Sequence, residues 1–269
     1  MDVGAAERFR VLVAAIGNEP PLDEGALLIA ATANGSDVES GLARLDDFAG
    51  AALAFPEART AAGLARVLFV EWAFAGNIND YDDPRNSFLP EVMDRRLGLP
   101  ITLSVFMIEV GRRIGVGLHG VGMPGHFLVG VGEGAGETAD EFVDPFNAGA
   151  VLDRDRCRMR FTAQFGPQAS FDAAMLCPTP SRLILLRMLT NLQQTYATRR
   201  SPDARWAANL RLAFPELPAA ERQRTAEVLA SVGAFDDAAI VFDELAAAAS
   251  AETSDGLARQ AVAYRARSN

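Results

Sequence analysis

The chain has 269 residues, 49% of them hydrophobic, enough to bury one large core or two smaller ones. Its formal charge is −10 and its isoelectric point about 4.8, which argues against a nucleic-acid-binding surface. No apolar run reaches membrane-spanning length and the N-terminus lacks a basic-then-apolar leader pattern, so the expectation is a cytoplasmic chain with no membrane partner.

Residues 5–75 read as helical, with apolar residues at helical spacing over 23–32, 37–53 and 56–75. Asn34-Gly35-Ser36-Asp37 is a turn that ends in a helix cap, with Glu39 in the first turn beyond it. Residues 1–75 are expected to form a helical cap without chemistry of its own. A polar loop over 76–84 follows. Ser87 is expected to cap a helix reaching Leu97, with Pro90 in its tolerated first turn and Gly98 as its left-handed stop. Pro100 suits the first position of the next helix. That helix is apolar on nearly every side, from Ile101 to Val110, so it is expected to be central and buried. Arg112 and Arg113 fall in its last turn, where cations favour the helix dipole.

Two strand-like runs follow, 116–123 and 127–131, and His126 opens the second. The polar, Gly-rich stretch 133–140 reads as a hairpin tip, and a further strand starts at Phe142 and leads to Asp144. Residues 153–177 are weakly patterned, and the alternating Arg run over 154–160 reads as a solvated face. From Ser181 onward only helices are expected: 181–198, 203–214, 218–232, 236–249 and 252–266. Gly233-Ala234-Phe235-Asp236-Asp237-Ala238 with Phe242 has the small-residue hinge of a tetratricopeptide hairpin.

Few residues can carry chemistry. Cys157 and Cys177 are too few for a disulfide framework and lack zinc spacing, and His119 and His126 are the only histidines. No metal site and no cofactor are expected. All 25 basic residues are Arg, so Schiff-base and P-loop lysine chemistry is excluded. The Arg-rich surroundings of Cys157 would favour its thiolate, but nothing in the spacing brings it to His126. Both cysteines and His119 are therefore taken as structural.

Four motifs occur in order: Pro84-Arg85-Asn86-Ser87; Arg95-Arg96-x-Gly98-x-Pro100-Ile101-x-Leu103-Ser104; Pro124-Gly125-His126-Phe127-Leu128-Val129; and Asp144-Pro145-Phe146-Asn147. Together they resemble the bacterial transglutaminase-like family with a tetratricopeptide tail, its SirB-type branch, over roughly residues 20–250. The resemblance implies an α+β fold: a papain-like, transglutaminase-like core in which a central helix packs on a small antiparallel sheet. A helical N-terminal cap precedes that core and an all-α helical-hairpin tail follows it. The expected divisions are 1–75 for the cap, 76–178 for the core and 179–269 for the tail.

The same resemblance implies a Cys–His–Asp triad. The Cys starts the central helix, where the dipole favours the thiolate; the His moves the proton, and the Asp orients the imidazole. Members commonly read Gly-x-Cys at that helix start and close the helix with Gly. Counting back from Gly115 places Pro100 at the nucleophile position, with His126 and Asp144 matching the other two members. Pro100 cannot be a nucleophile.

His126 is then either a working base or a packed imidazole held by Asp144, and Asp144 either orients the ring or caps the turn at Pro145. Of the nearby alcohols, a position two residues on turns by about 200° around the helix and one four residues on by about 400°. Ser104 thus returns near the face of Pro100 and Thr102 points away. Ser104 is the weak substitute candidate, because a buried helix serine commonly bonds back to a carbonyl. Two function classes follow. The first is a non-catalytic interaction or scaffold protein, with an unidentified protein or peptide partner held by the cleft or the helical tail. The alternative is an acyl-transfer or hydrolytic enzyme using His126 and Asp144 with a non-Cys nucleophile or an activated water.

Overall fold

The computed structural model describes residues 2–14, 19–134 and 138–268. The centre of the expected hairpin tip, 135–137, lies outside the described residues. Helices α1 (Val3–Ala14), α2 (Leu22–Asn34), α3 (Val38–Ala52) and α4 (Ala61–Arg66) form the N-terminal part, and α4 runs into a π-helical turn at Val67–Glu71. Gly35 stops α2 in the left-handed conformation, and the Asp37 carboxylate caps α3 by accepting from the Ser40 N–H at 2.6 Å.

Two short strands, β1 (Ala75–Gly76) and β2 (Leu97–Gly98), pair in parallel around helix α5 (Leu89–Arg95). Here two local expectations fail. Ser87 belongs to a 3-10 turn, Pro84–Ser87, and α5 starts after Phe88 with no side-chain cap. The left-handed stop is Arg96, at φ 56°, whose Nη1 is anchored on the Trp72 carbonyl at 2.9 Å. Gly98 is extended within β2, and its value is steric: a Cβ there would meet Leu103 and Val92 side-chain atoms at 3.1 Å. The chain reverses two residues early because residues 97 and 98 must pair with β1.

Helix α6 (Pro100–Arg113) buries every residue from Pro100 to Gly111. It lies against a four-stranded antiparallel sheet, β3 (Leu118–Val121), β4 (Leu128–Val131), β5 (Glu141–Asp144) and β6 (Ala150–Asp153), in that spatial order. Alternation sorts the sheet residues. Val129 and Val143 face the main core around α6, while Val121, Leu128, Phe142 and Leu152 face the other side. That second face is covered by α7 (Arg154–Phe165) through Cys157 and Phe161. The weakly patterned stretch is therefore a helix, capped by Asp153 at 2.8 Å from the Arg156 N–H; with only two buried residues its period was too faint to read.

Helices α8 (Ser181–Thr198), α9 (Ala204–Arg211), α10 (Ala219–Ser231), α11 (Phe235–Ala248) and α12 (Ala251–Ser268) complete the chain. Ser181 is the first residue of α8 behind Pro180 and makes no cap bond. The main core takes residues from the N-terminal helices, α6, α8 and α9, and a separate cluster joins α9 to α12. The architecture is the expected one: a helix-rich α+β core with a small sheet, flanked by helices.

The far end of α6 is held by a charge cluster whose two carboxylates are buried. Asp23 of α2 accepts from Arg112 at 2.8 Å and from Arg113 at 2.7 Å, and Glu109 accepts from the same two residues at 2.8 and 2.9 Å. Burial raises Asp23, but its bond to Arg113 and the backbone N–H of Glu24 outweigh this and leave it below its ordinary value. Burial, then the charge of Asp23, pushes Glu109 up against the pull of both arginines. Arg113→Ala leaves two buried carboxylates with one guanidinium, and is expected to cost about 3 kcal/mol in urea unfolding. A loss below about 0.5 kcal/mol would show that the cluster does not hold α2 on α6.

Candidate functional site

Residues 123–126 form a tight turn, closed by the His126 N–H donating to the Met123 carbonyl at 3.0 Å. Gly125 takes φ 72°, as the third residue of such a turn requires. The turn delivers His126 to the start of β4. Its carbonyl accepts from Arg187 Nη2 of α8 at 3.0 Å, which pins the backbone from behind.

Asp144 ends β5 and has no exposed surface. Its Oδ1 lies 2.9 Å from His126 Nε2. The ring nitrogen makes no well-aligned hydrogen bond to that oxygen, so the two stand in close contact without a directional bond. Asp144 also accepts from the Asn147 backbone N–H at 3.2 Å, from Asn147 Nδ2 at 2.8 Å and from Arg160 Nη1 of α7. Burial raises the carboxyl, but the His126 contact, Asn147 and the Arg160 charge outweigh it and hold Asp144 below its ordinary value. It does both things the sequence left open, facing the imidazole and capping the turn at Pro145.

His126, Arg160 and Pro100 open into one cleft of about 470 Å³. Its walls are the first turn of α6, the 123–126 turn, the 145–147 turn and the α7 face carrying Arg160, Ala163 and Gln164, with Tyr81 at one side. Among the described lining residues there is no Cys, Ser or Thr. Tyr81 carries the remaining hydroxyl, and burial raises that phenol above its ordinary value.

Ser104 is corrected as a candidate. Its Oγ is fully buried and donates to the Pro100 carbonyl at 2.8 Å, so it neither reaches the cleft nor is free to attack. Thr102 is buried and its hydroxyl makes no hydrogen bond. Cys157 sits in the apolar layer under α7, and burial pushes its thiol up to about 11 despite Arg160 nearby, the reverse of the shift its Arg-rich context suggested. Cys177 is exposed, 3.9 Å from Thr138 Oγ1. His119 Nδ1 meets the Gly132 carbonyl at 3.1 Å and borders a different hollow, beside Asp23 and Glu109.

Arg160, Asn147 and Arg187 were missed as site residues. Asn147 stood within a quoted motif and was legible there. The two arginines had no local signal, because their roles depend on where α7 and α8 cross the sheet. Among the described residues, no group of three or more His, Cys, Asp or Glu could hold a metal ion, and no helix is long and apolar enough to cross a membrane.

A model of the transglutaminase-like superfamily matches residues 37–190, more than half of the chain. A UPF0162 protein of Xylella fastidiosa is 43% identical over 168 residues, 61% of this chain and 59% of that protein. One from Vibrio cholerae is 30% identical over 128 residues, 48% of this chain and 46% of that protein. The human F-box only protein 21 is 36% identical over 96 residues, 34% of this chain but 15% of its own length. The chain thus spans less than two thirds of each of these relatives. No solved structure matches.

Because its pKa is depressed on folding, Asp144 contributes stability that is present above the unfolded value and lost as pH falls through the folded one. Asp144→Asn is therefore expected to cost about 2 kcal/mol at neutral pH. The gap between the two proteins should narrow below about pH 4. Thermal unfolding across that range checks this; a gap that stays constant into acid would contradict it.

Proposed function

We propose that this chain, which belongs to the transglutaminase-like superfamily, is a non-catalytic member whose cleft binds a ligand instead of attacking it. The single observation behind this reading is the cleft wall. It offers an imidazole, a guanidinium and amides but no thiol or aliphatic alcohol, and Pro100 stands where the helix enters it. We place the chain in the SirB-type branch, with Pro100 in the nucleophile position.

In this reading His126 and Asp144 are kept as a polar cleft floor, and Ser104 stays a structural serine. A cap over 1–75, a core over 76–178 and a tetratricopeptide-like tail over 179–269 then act together as a cytoplasmic interaction or regulatory module. The partner is a protein or peptide that meets the cleft or the tail. Similarity to a 15% portion of a longer human chain supports a module used within other proteins. The retained 2.9 Å contact between His126 and Asp144 favours the second reading, a hydrolase working through activated water.

An electrophilic acyl probe with peptide mapping by mass spectrometry tests the reading. The wild type is expected to gain no adduct within the cleft. Pro100→Cys is expected to label at residue 100, roughly a hundredfold faster than in a Pro100→Cys/His126→Ala background, the low end of what a positioned base supplies. A wild-type cleft adduct, or turnover of the probe, that disappears in His126→Ala would sink the non-catalytic reading.

A further inference from the structure

We infer that the cleft is a carboxylate-binding site, taking a singly charged anionic group carried on an apolar body. This rests on the non-catalytic reading above and names the ligand class of the same site.

The chain carries a formal charge of −10, yet none of the described residues that line the cleft is an Asp or a Glu. The polar groups on its walls, Tyr81, His126, Asn147, Arg160 and Gln164, all carry O–H or N–H donors; only the two amides add a neutral acceptor oxygen, and one Asn147 hydrogen is spent on Asp144. Asp144 lies beneath them with no exposed surface, and its two oxygens are already taken by His126, Asn147 and Arg160. Its charge offsets one guanidinium, and its oxygens do not reach the cleft to compete for the donors there.

Arg160 spends one amino group on Asp144. Among the described residues its Nε and Nη2 make no hydrogen bond, and its side chain remains 35% exposed. A guanidinium fork with two free donor nitrogens matches a carboxylate. Arg187 adds a second positive charge behind the His126 turn. Its guanidinium packs over the Phe127 ring at 5.4 Å, and no carboxylate lies within ion-pair distance among the described residues. Near the cleft, Arg160 and Arg187 stand against the buried Asp144 and the more distant Asp82 beside Tyr81, a balance with no strong excess of positive charge. That balance suits a monoanion better than a phosphate dianion.

The rest of the wall is apolar. Pro100 and Met123 face a ring pair, Tyr81 and Phe146, whose centroids are 5.8 Å apart. A phenol is protonated at neutral pH and burial raises Tyr81 further, so it is a donor and not a competing anion. A volume of about 470 Å³ holds a body of the size of an acylated amino acid.

The carboxylate could belong to a free organic acid or to the C-terminus of a peptide. Calorimetric titration of the full chain separates them, using N-acetylphenylalanine, its amide, and N-acetyl-Ala-Ala-Phe with a free or an amidated terminus. Both acids are expected to bind at least about tenfold more tightly than their amides, as one charge-assisted contact supplies. A tighter peptide acid identifies the C-terminus as the natural source, and a tighter small acid a metabolite. Arg160→Gln should remove the preference. Because it also unsettles Asp144, Ala163→Glu is the second variant: it puts a carboxylate into the wall from an exposed helix position, and should weaken the acids tenfold without moving the amides or the melting temperature. Equal affinity for acids and amides, no binding of any probe, or acid binding unmoved by Ala163→Glu overturns the inference. Intact mass and amide turnover are read on the same samples: an adduct or a hydrolysed amide would defeat the non-catalytic reading while leaving the acid preference standing.

Discussion

A carboxylate with no exposed surface must be neutralised by its neighbours, and at Asp144 that requirement ties three segments of chain together. The turn before β4 supplies His126, the turn after β5 supplies Asn147, and α7 supplies Arg160. An isolated buried charge would be expelled or protonated. Here the partners hold the carboxyl below its ordinary pKa, so the ionised form is the one the fold is built around. The cleft is the space those three segments leave open above it.

The opposite wall depends on α6. Its burial on nearly every side fixes where its first turn sits, and the Asp23–Glu109–Arg112–Arg113 cluster fixes its far end. Pro100 therefore occupies a defined place at the cleft rather than a frayed helix start. A proline there is compatible with the helix, since the first turn has no use for its missing N–H. The helix entry and the cleft beside it are thus mutually compatible, and the neighbouring wall carries the N–H groups of His126, Asn147, Arg160 and Gln164. In a superfamily triad the Asp serves the imidazole; here Arg160 draws on the same carboxylate, so its charge is shared between a ring and a guanidinium.

Much of this was legible in the sequence because the signals were local. An apolar run opened by Leu-Pro and closed by two arginines can only be a buried helix with those ends. Asp37 before a periodic run is a cap, and Pro124-Gly125 before a β-branched run is a turn into a strand. The order of His126 and Asp144 placed both on neighbouring strand ends, and β4 and β5 are indeed paired. Where local reading failed, a nonlocal demand had won. Arg96 took the left-handed stop from Gly98 because β2 had to pair with β1, and Gly98 was needed for close approach by Leu103.

By itself, then, the sequence determined most of the helices though not α7, the strand runs that became β3, β4 and β5, the absence of lysine chemistry and the proline at the entry of the central helix. These follow from periodicity, φ restriction and residue identity, which need no knowledge of the partner segment. Only the tertiary structure decided that Arg160 leaves the solvated face to neutralise Asp144, and that Cys157 is sealed in an apolar layer with its thiol pushed up to about 11. Each of those outcomes depends on which surfaces are hidden from water. That is a property of how distant segments stack, and no stretch of the chain carries it alone.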